Sequence, residues 1–182
     1  MKSRELTSVA LMTAVLVVLG LVPGIPVGII PVPIVFQNMG VMLAALLLGA
    51  KKGTLAVFLL LLLAAVGLPV LTGGSGGLPV FVGPTGGYLF GWLLMPVIAN
   101  SGLRLLQNTR ANWAKFLVIW LACVICSDLL GTIWLTFQSH ISFITALISN
   151  VAFLPGDTIK ALIAFTLAKM LQKQNLSQNV LL

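Results

Sequence analysis

Residues 36–68 read FQNMGVMLAALLLGAKKGTLAVFLLLLLAAVGL. Two apolar runs flank Lys51-Lys52-Gly53, and their reading decides the fold. A charged pair between uninterrupted apolar runs marks a membrane surface, where the chain turns and goes back. The expectation is two short spans, 36–50 and 54–68, joined by a tight turn at 51–53. The rest of the chain has the same character. Of its 182 residues 59% are hydrophobic and 7% charged, with a mean hydropathy of +1.15. A soluble domain carries roughly 25% charged residues. A chain this apolar cannot present a polar surface to water, so it reads as an all-α integral membrane protein. Its length holds about six spans of ~20 residues, in a single transmembrane domain over residues 1–182.

The other spans follow from the same pattern. Span 1 covers 5–22; it starts too near the terminus, and lacks a small-residue cleavage site, to read as a signal peptide. Span 4 covers 87–106, with a kink expected at Pro96. Span 5 covers 113–137 and span 6 covers 157–173. Between them lie three irregular, apolar stretches: 23–35, 69–87 and 138–156. The first carries prolines at 23, 26, 31 and 33, which forbid a regular helix. Bare irregular backbone is not tolerated in lipid, so these stretches are expected to lie against other parts of the protein.

The basic residues orient the chain. With the N-terminus in the cytoplasm and six spans, Lys2, Arg4, Lys51, Lys52, Arg104, Arg110, Lys115, Lys169 and Lys173 all fall inside. The remaining one of the ten basic residues is Lys160. Both termini are then cytoplasmic, and all three irregular stretches lie outside, where elaborated loops build binding sites. The net charge of +7 is scattered over span ends, so it reads as membrane orientation and not as a nucleic-acid surface. Cys123 and Cys126 form a CxxC without a second pair or a nearby histidine, and read as small apolar side chains on one helix face. His140 is the single histidine, which argues against metal clusters and histidine-based catalysis; no cofactor or metal is expected.

The chain has three acids, and one stands in LPGDTIK (154–160). Asp157 and Lys160 are i and i+3, on one helix face. An intramembrane lysine costs ~2.5–3.5 kcal/mol on insertion scales and faces a cavity or a partner. Two readings stand: a helix cap with a local ion pair, or a polar recognition point at the floor of an outward-facing pocket. If a cap were all that was needed, Lys160 could be leucine. Asp128, in the outer half of span 5, is either functional or hydrogen-bonded to a neighbour such as the Trp134 indole. TGGSGG (72–77) reads as a mobile lid, since the continuation of a phosphate-binding loop is missing. Tyr88 either stacks on a ligand or sits in the interfacial aromatic belt.

The runs GGSGGLPVFVGPTGGYLFGW (73–92) and FLPGDTIKALIA (153–164), with VGIIPVPIVFQNMGVMLAALLLG (27–49), resemble the signature segments of the BioY family. These are the biotin-specific substrate-binding (S) components of energy-coupling factor (ECF) transporters. The resemblance covers nearly the whole chain. It implies the six-helix S-component fold in a prokaryotic plasma membrane, and high-affinity capture of biotin from outside. It also implies partnership with a transmembrane coupling protein and two cytoplasmic ATPases, and no catalytic residues in this chain. Ala10 and Ala14 match the alanine motif by which S components dock on the coupling protein. For the ligand, the resemblance implies Asp157 and Lys160 at the ureido ring, with Lys160 alternatively at the carboxylate. Tyr88, Trp92, Phe36 and Phe153 would wall the apolar ring, with Gln37, Asn38, Thr85 and Asn150 as polar candidates. Asp157→Asn is expected to weaken biotin binding while leaving thermal stability nearly unchanged. An S component for another vitamin, an autonomous facilitator and a lipid-modifying membrane enzyme are the competing readings.

Overall fold

A computed structural model describes residues 3–26, 31–109 and 111–173. Lys2, Arg110, residues 27–30 and the tail after Lys173 lie outside the described residues. The helices are α1 (Ser3–Gly20), α2 (Gln37–Ala65), α3 (Leu78–Val82), α4 (Gly86–Leu105), α5 (Asn112–Cys123), α6 (Leu130–Ser139), α7 (Phe143–Val151) and α8 (Leu154–Lys173). A π-helical turn, Val124–Leu129, makes α5 and α6 one continuous 28-residue rod. Among the described residues there is no strand. Helix α1 and the α5–α6 rod are each long and apolar enough to cross a membrane, α2 reaches that length only when both sides of a break at Gly49 are taken together, and α7 and α8 meet at 52° and qualify as a bent pair.

The burial pattern is the reverse of a soluble protein's. Leu11, Val18, Phe58, Ile133 and Leu162 face outward, whereas Gln37, Asn38, Asn100, Ser127, Asp128, Asn150, Asp157 and Lys160 are buried. Hydrocarbon outside and polar groups inside is what a bilayer solvent selects.

The expected turn at 51–53 moves to Gly49. That residue alone leaves the helical region within α2 (φ 75, ψ −175), a conformation essentially reserved for glycine. Lys51 and Lys52 already belong to the returning helix. The reversal shows in the packing: a Cβ on Gly53 would lie 2.7 Å from the Ala44 carbonyl oxygen, although nine residues of straight helix span roughly 13 Å. Gln37 confirms it from the other end, since its Nε2 donates both to Leu16 O (2.9 Å) and to Val70 O (2.8 Å).

The remaining helices align with this hairpin. Helix α8 runs beside the 37–48 half, with Asn38 near Asp157 at one end and Leu46 near Gln172 at the other. Helix α4 and the α5–α6 rod are antiparallel, with Gly102 against Val118, Gly91 against Cys126 and Gly87 against Trp134. Gly91 is obligatory here, because a Cβ would approach the Cys126 carbonyl to 2.1 Å. Small residues at such crossings are how membrane helices gain contact. Pro96 sits inside α4, which continues to Leu105.

Two ends result. Glu5, Lys51, Lys52 and Arg104 border one polar cleft, with Lys52 Nζ 3.1 Å from Glu5 Oε1. The irregular stretches gather at the opposite end, where they satisfy their own backbone. Ile25 and Ile34 exchange two hydrogen bonds of 2.8 Å, and Leu71 pairs with Ser75. The short helices α3 and α7 lie within the second and third stretches.

Substituting Gly49 by alanine is expected to cost about 1–3 kcal/mol. Thermal unfolding of the detergent-solubilised protein should show a lower Tm; an unchanged Tm would mean residue 49 need not leave the helix.

Candidate functional site

The pair at the start of α8 is built from the chain outward. Pro155 lies in the first turn, where its missing N–H costs nothing. The Asp157 amide is bonded to Phe153 O (2.8 Å), so Asp157 is not a helix cap, and that half of the bland reading falls. Its Oδ1 accepts from Asn38 Nδ2 (3.0 Å) and from Lys160 Nζ. Lys160 Nζ also donates to Val35 O (2.9 Å). Asp157 and Lys160 are only 3% and 4% exposed, so the charges are desolvated and hold one another. The pair therefore ties α8 to the first irregular stretch and to the head of α2.

These residues line a cavity at the end where the irregular stretches gather. Pro33, Val35 and Asn38 border it from one side, Leu71, Thr72 and Ser75 from above, and Tyr88 and Trp92 from α4. Phe153, Asp157 and Lys160 come from the start of α8, and Ser127 and Asp128 from the π-helical turn. Tyr88 and Phe153 pack edge to face, with centroids 6.1 Å apart. Tyr88 is buried, and its hydroxyl donates to Asn150 Oδ1 (2.7 Å), so the aromatic-belt reading fails.

The candidate residues divide into three groups. Asp157, Lys160, Asn38, Tyr88, Trp92, Phe153 and Thr85 come together on the cavity. Gln37 borders it too, but its side chain is spent: Nε2 serves Leu16 and Val70, and Oε1 accepts from Thr72 N and Oγ1. Thr85 Oγ1 donates to Val80 O (3.2 Å). Asn150 lies behind the wall, donating to Asp128 O (2.9 Å) and to Thr132 Oγ1. Phe36 is 39% exposed and does not border the cavity; as the residue before α2 it points away. Ala10 and Ala14 lie on the exposed face of α1.

Sequence reasoning missed Ser127, read Thr72 and Ser75 only as part of a mobile lid, and could not place Asp128. The Trp134 indole donates to Gly83 O (2.8 Å), so it is not the partner of Asp128. Four buried side-chain oxygens lack a partner among the described residues: Asn38 Oδ1, Ser127 Oγ, Asp128 Oδ2 and Thr54 Oγ1. Three of them belong to cavity residues. Buried polar atoms are nearly always bonded, so this concentration points to a ligand that completes them. Chemically the site offers an ammonium donor, carboxyl and amide acceptors and an aromatic wall.

A BioY family model matches residues 1–176. The chain belongs to the BioY family. A "Biotin transporter BioY" of Lactococcus lactis subsp. cremoris is 49% identical over 95% of this chain and 93% of its own length. One of Rhizobium etli is 40% identical, covering 93% of each chain. The crystal structure of the S-component for biotin from an ECF-type ABC transporter superposes with a TM-score of 0.91 at 46% identity, covering 99% of this chain and 94% of that one. BioY members are transport proteins, not enzymes, and the lipid-modifying reading is set aside.

Burial of the Asp157–Lys160 pair makes an apolar replacement of Asp157 a different case from the Asp157→Asn exchange. Asp157→Leu strands a buried ammonium and is expected to cost about 3–5 kcal/mol. Asp157→Leu with Lys160→Met should regain most of it. Apo Tm values of the three proteins check this; equal values for wild type and single variant would show that the charges are uncoupled.

Proposed function

We propose that this chain is the biotin-binding membrane subunit of an ECF-type transporter. It captures biotin with high affinity at the outer face for ATP-driven uptake. In this reading the chain crosses the plasma membrane of a prokaryote six times, with both termini cytoplasmic and the cavity opening outward. Its partners are a transmembrane coupling protein and two cytoplasmic ATPases. The observation that carries the reading is the cavity's composition: a buried carboxylate–ammonium pair and unpartnered acceptor oxygens beneath an apolar, aromatic wall. Biotin has matching parts, with two ureido N–H donors, a ureido carbonyl and an apolar thioether ring. The BioY relatives named as biotin transporters support the choice of ligand.

Tight recognition follows from desolvation. A site built to hydrogen-bond a polar head rejects analogues that leave its buried groups unpaired, by factors of about 10⁴–10⁵. The Ala10–Ala14 face of α1 is the proposed docking surface, because small residues let a partner helix approach closely.

Titration of the solubilised chain with labelled biotin is expected to saturate tightly, with thiamin and riboflavin failing to displace the label. Liposomes holding this chain alone should bind biotin but show little concentrative uptake. Displacement by either vitamin would redirect the assignment within the class, and robust uptake by the lone chain would make it a facilitator.

Replacing Ala10 and Ala14 together by tryptophan should leave biotin affinity within about twofold and abolish co-purification with the coupling protein and ATPases. Normal assembly of that variant would place the docking surface elsewhere.

A further inference from the structure

We infer that Asp128 is a second ligand-reading acceptor of the cavity, supplied by a different helix from the Asp157–Lys160 pair; this rests on the biotin reading above. Asp128 belongs to the π-helical turn Val124–Leu129, an irregularity that recurs at functional sites. It is 7% exposed and borders the cavity, and its Oδ2 has no partner among the described residues. The described salt bridges are Lys52–Glu5 and Lys160–Asp157, so among the described residues no cation is in salt-bridge contact with it. Ser127 Oγ, its neighbour, is likewise buried and unpartnered. A carboxyl group left this way inside a membrane protein is costly, so a purely structural role has nothing to recommend it.

Its backbone, by contrast, is firmly held. Asp128 O accepts from Thr132 Oγ1 (2.7 Å) and from Asn150 Nδ2 (2.9 Å). Asn150 is in turn held by the Tyr88 hydroxyl. The network fixes the backbone and leaves the carboxyl uncommitted, which is how a preorganised contact is built. Asn150 thereby acts as a positioning residue and not as a ligand contact.

The chemistry of a cyclic urea supplies the reason for two acceptors. Its two N–H groups diverge on either side of the C=O, so one carboxyl group cannot accept both. A site that reads the whole ring needs a donor for the oxygen and acceptors on two separate walls. Asp157 and its bonded neighbour Asn38 provide one wall and Lys160 the donor. Asp128, arriving from a different helix, provides the other.

The test uses biotin and two analogues, each methylated on one ureido nitrogen. Asp128→Leu is expected to weaken biotin binding about 10- to 100-fold. Its apo Tm should be unchanged or higher, since an unpartnered buried group is removed. Asp128→Asn, which keeps an acceptor oxygen, should recover part of the affinity. In the wild type each methylation weakens binding; in Asp128→Leu the penalty at one nitrogen disappears while the other persists. Unaltered biotin affinity in Asp128→Leu, or a lowered apo Tm with both methylation penalties intact, would overturn the assignment and make Asp128 structural. Wild-type protein that fails to bind biotin at all would remove the functional reading, and this inference with it, before any variant is compared.

Discussion

One ammonium group organises the cavity end of this protein. Lys160 lies in a helix surrounded by hydrocarbon, where no bulk water can solvate a charge. It must be answered by protein, and the answer comes from two directions: the Asp157 carboxylate on its own helix, and the Val35 carbonyl at the end of the first irregular stretch. Asn38 joins through Asp157. Two pairs of residues distant from one another in sequence, Val35 with Asn38 and Asp157 with Lys160, are thereby drawn together, and the last helix is registered against the first loop. The buried pair thus ties two parts of the fold together, which a bare cap would not do.

The same constraint shapes the rest of the fold. Every polar backbone group at membrane depth needs a partner, and the irregular stretches find theirs within the protein. Gln37 illustrates the economy of the solution. One side chain ties α1, the end of the hairpin and the loop at Thr72. Glycine does the complementary work. Gly49 permits the chain reversal, and Gly91 lets two backbones touch. The outcome is a bundle whose interior holds Gln37, Asn38, Asn100, Asn150 and the Asp157–Lys160 pair among its apolar side chains.

What the bundle leaves unfinished is as informative as what it completes. Elsewhere in the interior Thr13 is bonded to Ala56, Asn100 to Ala45 and Asn150 to three neighbours, and Thr54 Oγ1 is the exception. The unpartnered oxygens instead concentrate around one cavity. Membership of the BioY family gives that surplus a chemical meaning, because a ligand with N–H donors and an apolar ring would complete it.

Membrane class, approximate helix positions and the importance of Asp157 and Lys160 were legible in the chain itself. Apolar runs, charged turns and an expensive intramembrane lysine are local signals, and local energetics suffices to read them. Phe36 and Gln37 show where that stops. One faces outward and the other spends its amide on backbone carbonyls, yet both sit beside Asn38, which does reach the cavity. The turn at Gly49 was misplaced by two residues because lysines announce a surface without saying which backbone bends. Asp128 was ambiguous for a similar reason. Whether a buried carboxyl is satisfied depends on groups tens of residues away, and only packing brings them near or leaves them absent. The sequence by itself determined what must be buried or lipid-facing, since transfer free energy belongs to each residue. The tertiary structure decided which buried groups are spent on the protein and which remain for a ligand, since hydrogen-bond satisfaction belongs to pairs.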